Sequence, residues 1–234
     1  MGKNAPTAFA GFSDATIAFL SQLAVNNDRD WFQAHKQRYE EAVRDPALAF
    51  IEAIAPGLKR ISPHFVASSR RTGGSLMRIY RDTRFSRNKL PYKTNVGIQF
   101  RHELGKDVHA PGFYVHIEPG GCFLGAGIWR PDSAALAAIR AQIADSPAAW
   151  KRARDAKAFV ARFTLSGEQL KRIPRGYDAD HPLAEDLRRK DFIGVSGYEI
   201  GDITEPTYLQ DVLEAFSDTK PFMRFLCKAL ELHF

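Results

Sequence analysis

The chain has 234 residues, 44% of them hydrophobic and 26% charged, with a formal net charge of +6. That length favours one domain, and that composition excludes a disordered chain; about 70% of the unfolded surface can be buried without disulfides or a structural metal. No stretch approaches the roughly 18 apolar residues of a membrane span. The start lacks the apolar run of a signal peptide, and Pro6 stands where the myristoylation pattern after Gly2 wants Ser or Thr.

The first third reads as helical. Ser13 is placed to cap a helix carrying Ile17, Leu20 and Leu23 up to about Val25. Asn27 or Asp28 can cap a second helix with Trp31, Phe32, His35 and Tyr39, ending before Pro46; Trp31 and Phe32 read as core. Pro46 suits the first turn of a third helix with Leu48, Ile51 and Ile54, which Pro56 should kink or end. The middle third reads as strands. Leu76–Tyr80 is a short one. Val96–His102 alternates Val96, Ile98 and Phe100 inward against Gln99 and Arg101. Gly112–Glu118 sets Phe113, Val115 and Ile117 against Tyr114, His116 and Glu118, and Cys122–Trp129 follows a turn. These predict an antiparallel meander over about 96–129. The last third returns to helix over Pro131–Asp145, after Pro147, over Pro182–Lys190 and over Thr207–Leu232, with Pro221 interrupting the last. A loop is expected at Pro174–Pro182 and a strand at Phe192–Ile200. The expectation is a single α+β domain, a mainly antiparallel sheet flanked by N-terminal and C-terminal helices.

The charge is local. From Arg70 to Lys93 there are eight basic residues and one acid, Asp82, a net +7 that leaves −1 for the remainder. The stretch Arg78-Ile-Tyr-Arg-Asp-Thr-Arg-Phe-Ser86, continued by Asn88-Lys89-Leu90-Pro91-Tyr92-Lys93-Thr94, resembles domain-of-unknown-function family 2461, a group of uncharacterised bacterial and fungal proteins. Phe9-Ala-Gly-Phe12, Asn26-Asn27 with Trp31-Phe32, Pro111-Gly-Phe-Tyr114 and Pro174-Arg-Gly-Tyr-Asp178 extend the resemblance over about residues 8–195. It implies a family and carries no reaction, cofactor or residue role.

Three clusters carry chemistry. In the first, Arg78, Tyr80, Asp82 and Arg84 share a face of an extended segment, with Arg81 beside them and Lys89 and Lys93 adding charge. Guanidinium forks match phosphate and carboxylate oxygens, so the segment reads as an anion pocket, with a solvated basic face as the alternative. In the second, Tyr114, His116 and Glu118 form a polar row that is either an acid–base site or a water-facing strand. No third ligand for a metal can be placed, since His102 has the opposite parity and His109 is only near in sequence. In the third, Arg175, Tyr177, Asp178, Asp180 and His181 crowd one loop, where Asp180 is placed to cap the helix after Pro182. His35, His64 and His233 show no partner. There is no P-loop spacing, no Gly-x-Ser-x-Gly elbow and no dinucleotide context for Gly125-Ala-Gly127, which reads as a bulge or a close packing.

The expected function is binding of a phosphate- or carboxylate-bearing small ligand, with acid–base chemistry if His116, Glu118, Asp82, Asp178 and His181 flank the same cavity. The alternatives are non-specific nucleic-acid binding, in which Tyr80, Phe85 and Tyr92 supply stacking, and an interaction scaffold. Two cysteines, Cys122 and Cys227, without a CxxC pair favour a reducing compartment, with cytoplasm as the default.

Overall fold

Strict alternation along the central strands gives a sheet with one apolar face, and that face decides where every helix goes. The computed structural model describes residues 9–105 and 110–234. Gly2 and Pro6 of the N-terminal reading, and His109, lie outside them. The chain runs α1 (Asp14–Val25), α2 (Arg29–Ala34), α3 (Lys36–Tyr39), a π turn (Glu40–Arg44), α4 (Asp45–Ile61), β1 (Phe65–Val66), β2 (Val96–His102), β3 (Gly112–Ile117) and β4 (Cys122–Ile128). It continues with α5 (Ser133–Asp145), α6 (Pro147–Arg154), α7 (Lys157–Arg162), β5 (Thr164–Ser166), α8 (Ala184–Leu187), β6 (Phe192–Tyr198), α9 (Ile200–Thr204), α10 (Tyr208–Asp218) and α11 (Lys220–Ala229).

The strands form one antiparallel sheet in the order β1-β2-β3-β4-β6-β5, an α+β architecture built on the expected meander. Ile98 opposes Val115 and Val115 opposes Leu124, so the apolar residues stack across the sheet in register. All three are fully buried, as are Phe100, Phe113, Ile117 and Phe192. Helices α4, α10 and α11 cover that face. Phe216 meets Phe113 at 4.7 Å between ring centroids, and Trp150 meets Phe225 at 5.0 Å. Gly127, at φ +135°, lets β4 approach β6: a Cβ there would stand 2.0 Å from the Phe192 carbonyl oxygen. Close packing, one of the two expected reasons for the glycines of β4, is what the structure gives.

Several local expectations are corrected. The helix with Tyr39 does not end before Pro46. The π turn carries it straight into α4, where Pro46 occupies the first turn and needs no hydrogen-bond acceptor. Pro56 lies inside α4 without ending it. Leu76–Tyr80 is not a continuous strand; one isolated bridge ties Leu76 to Ile98 of the sheet and another ties Tyr80 to Tyr92 ahead of it. Ser13 makes no side-chain cap; Asp28 does, accepting from Trp31 N–H at 2.9 Å. Asp180 does not cap a helix. Its own N–H donates to Asp178 Oδ1 at 3.0 Å, and α8 begins later. Elements α7, β5 and α9 were not expected. Pro221 sits in the first turn of α11, so the break falls at Thr219 between α10 and α11. Among the described residues, no helix is long and apolar enough to cross a membrane.

Candidate functional site

The outer edge of β2 is lined twice. β1 pairs with its C-terminal end, and residues 75–81 bridge to its middle and to the chain before it, through Leu76–Ile98 and Tyr80–Tyr92. Residues 67–74 therefore leave the edge as a loop. Ser75, almost wholly buried, pinches that loop shut. Its N–H donates to Ser68 O at 2.7 Å, and its hydroxyl donates to Val66 O at 3.2 Å and accepts from Ser68 N–H at 3.0 Å. Gly74 is required by the pinch, since a Cβ would stand 2.2 Å from Arg70 O. A fixed loop thus holds Arg70 and Arg71 beside the edge segment.

The π turn faces this loop. Such turns insert one residue into a helix and are frequent at functional sites. Here Arg44 Nη1 binds both carboxylate oxygens of Glu40, at 2.7 Å to Oε1. Between the helices and residues 70–80 lies a cleft of about 280 Å³. Phe32, Tyr39, Leu48 and Leu76 supply its apolar lining, and Lys36, Arg44, Arg70, Arg71 and Arg78 its charge; Glu40 is the one carboxylate in that lining. The side chains of Lys36, Arg70, Arg71 and Arg78 make no hydrogen bond or ion pair among the described residues. Lys93 is half-buried within the field of Arg78. Burial first, then Arg78, holds its ammonium below the usual lysine range. Burial pushes the Tyr39 phenol up to about 12.

Of the expected ligand-binding residues, Arg78 and Tyr80 line the cleft and Lys93 stands near Arg78. Arg81, Arg84 and Lys89 are not in the lining. Arg84 is clamped on Asp82 by Nε–Oδ1 at 3.0 Å and Nη2–Oδ2 at 2.7 Å, which holds the exposed Asp82 carboxyl at about 2. Asp82 is therefore an orienting group for Arg84 rather than a free base. Tyr92, expected among the stacking residues, is buried at 2% and stacked on Phe32 at 4.1 Å. Asn27 clamps its backbone from both sides, Nδ2 to Tyr92 O and Tyr92 N–H to Oδ1, each at 3.0 Å.

The polar row on β3 lies on the face of the sheet away from the core, with the expected parity. Tyr114 Oη and His116 Nδ1 are hydrogen-bonded at 2.9 Å, and His116 Nε2 and Glu118 Oε2 at 3.3 Å. Thr94 donates to Glu118 Oε1 at 2.6 Å, and the imidazole stacks on Phe123 at 4.5 Å. The bridges to 75–81 enclose residues 76–80 on one side and 92–98 on the other, and the two surplus residues bulge. Thr94 and Asn95 lie in that bulge and reach this network. Burial, with Glu118 adding to it, lifts the Tyr114 phenol to about 12. Every polar atom of His116 is engaged, so the row is closed on itself.

The third cluster stands apart. Tyr177 is half-buried, within the field of Arg140 on α5, and Arg140 in turn binds Arg189 O after α8 at 2.8 Å. His181 Nδ1 accepts Leu183 N–H at 3.0 Å and Asp178 Oδ1 accepts Asp180 N–H, so both shape the loop; Arg175 is exposed. None of His116, Glu118, Arg175, Tyr177, Asp178 or His181 lines the cleft. The expected single cavity is not formed, because the sheet separates His116 from the helices, while the 174–182 loop sits with α5 and α8. The histidines expected to lack partners have them: His35 Nδ1 bonds Trp31 O at 2.8 Å, His64 pairs with Glu103 at 2.6 Å, and the His233 ring stacks on His64 at 5.7 Å between centroids. Among the described residues no group of His, Cys, Asp and Glu has the arrangement of a metal site.

Residues 15–225 match the sequence model described as conserved hypothetical protein (DUF2461). The chain belongs to this family. The match runs into α11, beyond the limit near 195 that the sequence motifs suggest, so the DUF2461 fold includes the C-terminal helices packed under the sheet. No curated protein matches the chain. Lys36, Glu40 and Arg44, with no role in the sequence reading, belong to the cleft of this DUF2461 member. The spacing of Glu40 and Arg44 announces a helix pair and nothing about a loop some thirty residues on.

Proposed function

We propose that the cleft between the π turn and the edge segment binds a small ligand bearing more than one phosphate or carboxylate group. One observation carries this reading: Lys36, Arg70, Arg71 and Arg78 converge there with no carboxylate hydrogen-bonded or ion-paired to them among the described residues, while the cleft's own carboxylate is occupied by Arg44. Like charges held together in a fixed frame repel, and an anion relieves that repulsion. The pinched loop and the π turn hold the frame before the ligand arrives, which lowers the ordering cost of binding. The volume suits a metabolite at the small end of ligand sites, with Leu48, Leu76 and the exposed Tyr80 available for its apolar part. An acid–base step in the cleft would draw on Glu40, freed if the ligand's charge takes over Arg44.

The test is a thermal screen of inorganic phosphate, pyrophosphate and small polycarboxylates. A ligand at 100 times its dissociation constant adds about 2.7 kcal/mol, or about 5–10 °C for a chain of this size. Arg70→Ala combined with Arg78→Ala should abolish the rise while leaving the unliganded melting point within about 2 °C, as expected for exposed side chains without partners. No rise with any of these anions at moderate salt would reject the reading.

A further inference from the structure

Beyond the cleft, residues 82–90 form a loop whose shape is fixed from within and whose tip stands in solvent. Asp82 Oδ1 accepts Arg84 N–H at 3.2 Å and Asn88 Oδ1 accepts Leu90 N–H at 3.0 Å, an Asx turn at each end. Lys89 Nζ crosses the loop to Thr83 O at 2.9 Å, and Ser86 N–H closes on Thr83 O. The base is anchored by the Asn27 clamp on Tyr92 and by the Tyr92–Phe32 stack. Yet Phe85, at the tip, is 95% exposed, and Tyr80, where the loop begins, is 47% exposed. A phenyl ring left in water forgoes the stabilisation that burial would bring, and a stapled loop has no freedom to fold it away.

The surroundings of Phe85 indicate what covers it. The Arg84 guanidinium lies 5.8 Å from the ring centroid, steered there by Asp82. Arg81, Arg87 and Lys89 flank it on the same stretch. An open groove at the loop's base adds Arg29 and Asn88 to Lys89, against the single carboxylate of Asp28, which already caps α2. The loop is an aromatic platform on a stretch rich in cations, and the groove at its base is lined mainly by polar and charged residues among the described residues. Backbone phosphates in the groove and a base stacked on the ring satisfy both features at once.

We infer that the 82–90 loop is a docking site for single-stranded nucleic acid, with Phe85 as the base-stacking platform. The site is independent of the small-anion cleft: Phe85, Arg84 and Arg87 are absent from the cleft's lining.

The experiment is fluorescence anisotropy at low salt with the full chain. The probes are a labelled deoxythymidine oligomer of about 15 nucleotides and an abasic oligomer of the same length and charge, about the span of one such binding surface. The wild type should bind the thymidine oligomer about fivefold or more tighter than the abasic one, and Phe85→Ala should remove that difference without changing abasic binding. Phe85→Leu should restore little of it, since it keeps the apolar bulk but not the flat ring. The Arg70→Ala, Arg78→Ala double variant should keep the thymidine preference, and Phe85→Ala should keep the anion response of the cleft. Equal affinity of the wild type for both probes, or an unchanged preference in Phe85→Ala, would overturn the inference and leave the cleft reading untouched.

Discussion

The polar face of β3 and the edge cleft hold comparable densities of chemistry-bearing side chains, and they differ in how much of that chemistry is already spent. On β3, Tyr114, His116, Glu118 and Thr94 bond to one another in a chain in which each donor has its acceptor. In the cleft, four cations face open space and one carboxylate is neutralised by a neighbour. A closed network contributes stability and has nothing left to offer a ligand, whereas an open set of like charges costs stability and is satisfied by one. Residue types rank the basic segment ahead of the histidine row, and the state of the hydrogen bonds gives the same order.

The comparison can be broken first on the cleft's side. Phe32 lines the cleft and stacks on Tyr92, and it is 1% exposed. Phe32→Ala should cost about 3–5 kcal/mol in urea unfolding, the largest effect expected of any substitution here, and should abolish anion binding with it. Asn27→Ala follows, leaving the buried N–H and C=O of Tyr92 without partners at about 2–4 kcal/mol for the pair of lost bonds. Asn27→Asp should cost less, because it keeps the acceptor for Tyr92 N–H.

Alkaline pH tests the burial that the two regions share, without mutation. Tyr39 in the cleft and Tyr114 in the row both have phenols raised to about 12 by burial. The folded state holds these protons after the unfolded chain has released its own. Their contribution is therefore intact below about 10 and is lost as pH rises towards 12. Burial also raises the phenols of Tyr92, Tyr198 and Tyr208, so phenolate absorbance should show these two among five late-titrating tyrosines, assigned by Tyr39→Phe and Tyr114→Phe, and unfolding free energy should fall over the same window. Phenolates appearing in the native state near 10 at both positions would contradict the burial of these rings.

Smaller effects sharpen the contrast. His116→Ala should destabilise by about 1–2 kcal/mol through the lost bonds to Tyr114 and Glu118 and leave anion affinity unchanged. Arg78→Ala should do the opposite, with stability within about 0.5 kcal/mol of wild type and a weakened ligand response.

How much of this was legible follows from what each element depends on. Strands β2, β3 and β4 were readable because alternation such as Phe113, Val115, Ile117 is imposed by the pleat itself, and the parity of His116 came with it. The break at Thr219 was readable to within two residues because Pro221 cannot continue α10. The π turn was not, since one inserted residue leaves no compositional mark and Pro46 suggested a boundary that its place in the first turn removes. The basic segment was legible only as a charge density; the partition of its arginines was hidden. Arg84 is spent on Asp82 through a two-residue turn, Arg78 is left free, and the cleft is completed by Lys36 and Arg44 from helices that only tertiary packing brings near. The satisfied state of His116 was equally hidden, because Thr94 reaches Glu118 through a bulge that no spacing rule encodes.

The most direct test of the contrast is equilibrium dialysis of pyrophosphate against three proteins: wild type, Arg78→Ala and His116→Ala. The account predicts that wild type and His116→Ala bind alike, and that Arg78→Ala binds about tenfold or more weakly, the cost of one charge-assisted pair. Loss of binding in His116→Ala with Arg78→Ala unaffected would contradict it, and would place the ligand on the sheet face instead of in the cleft.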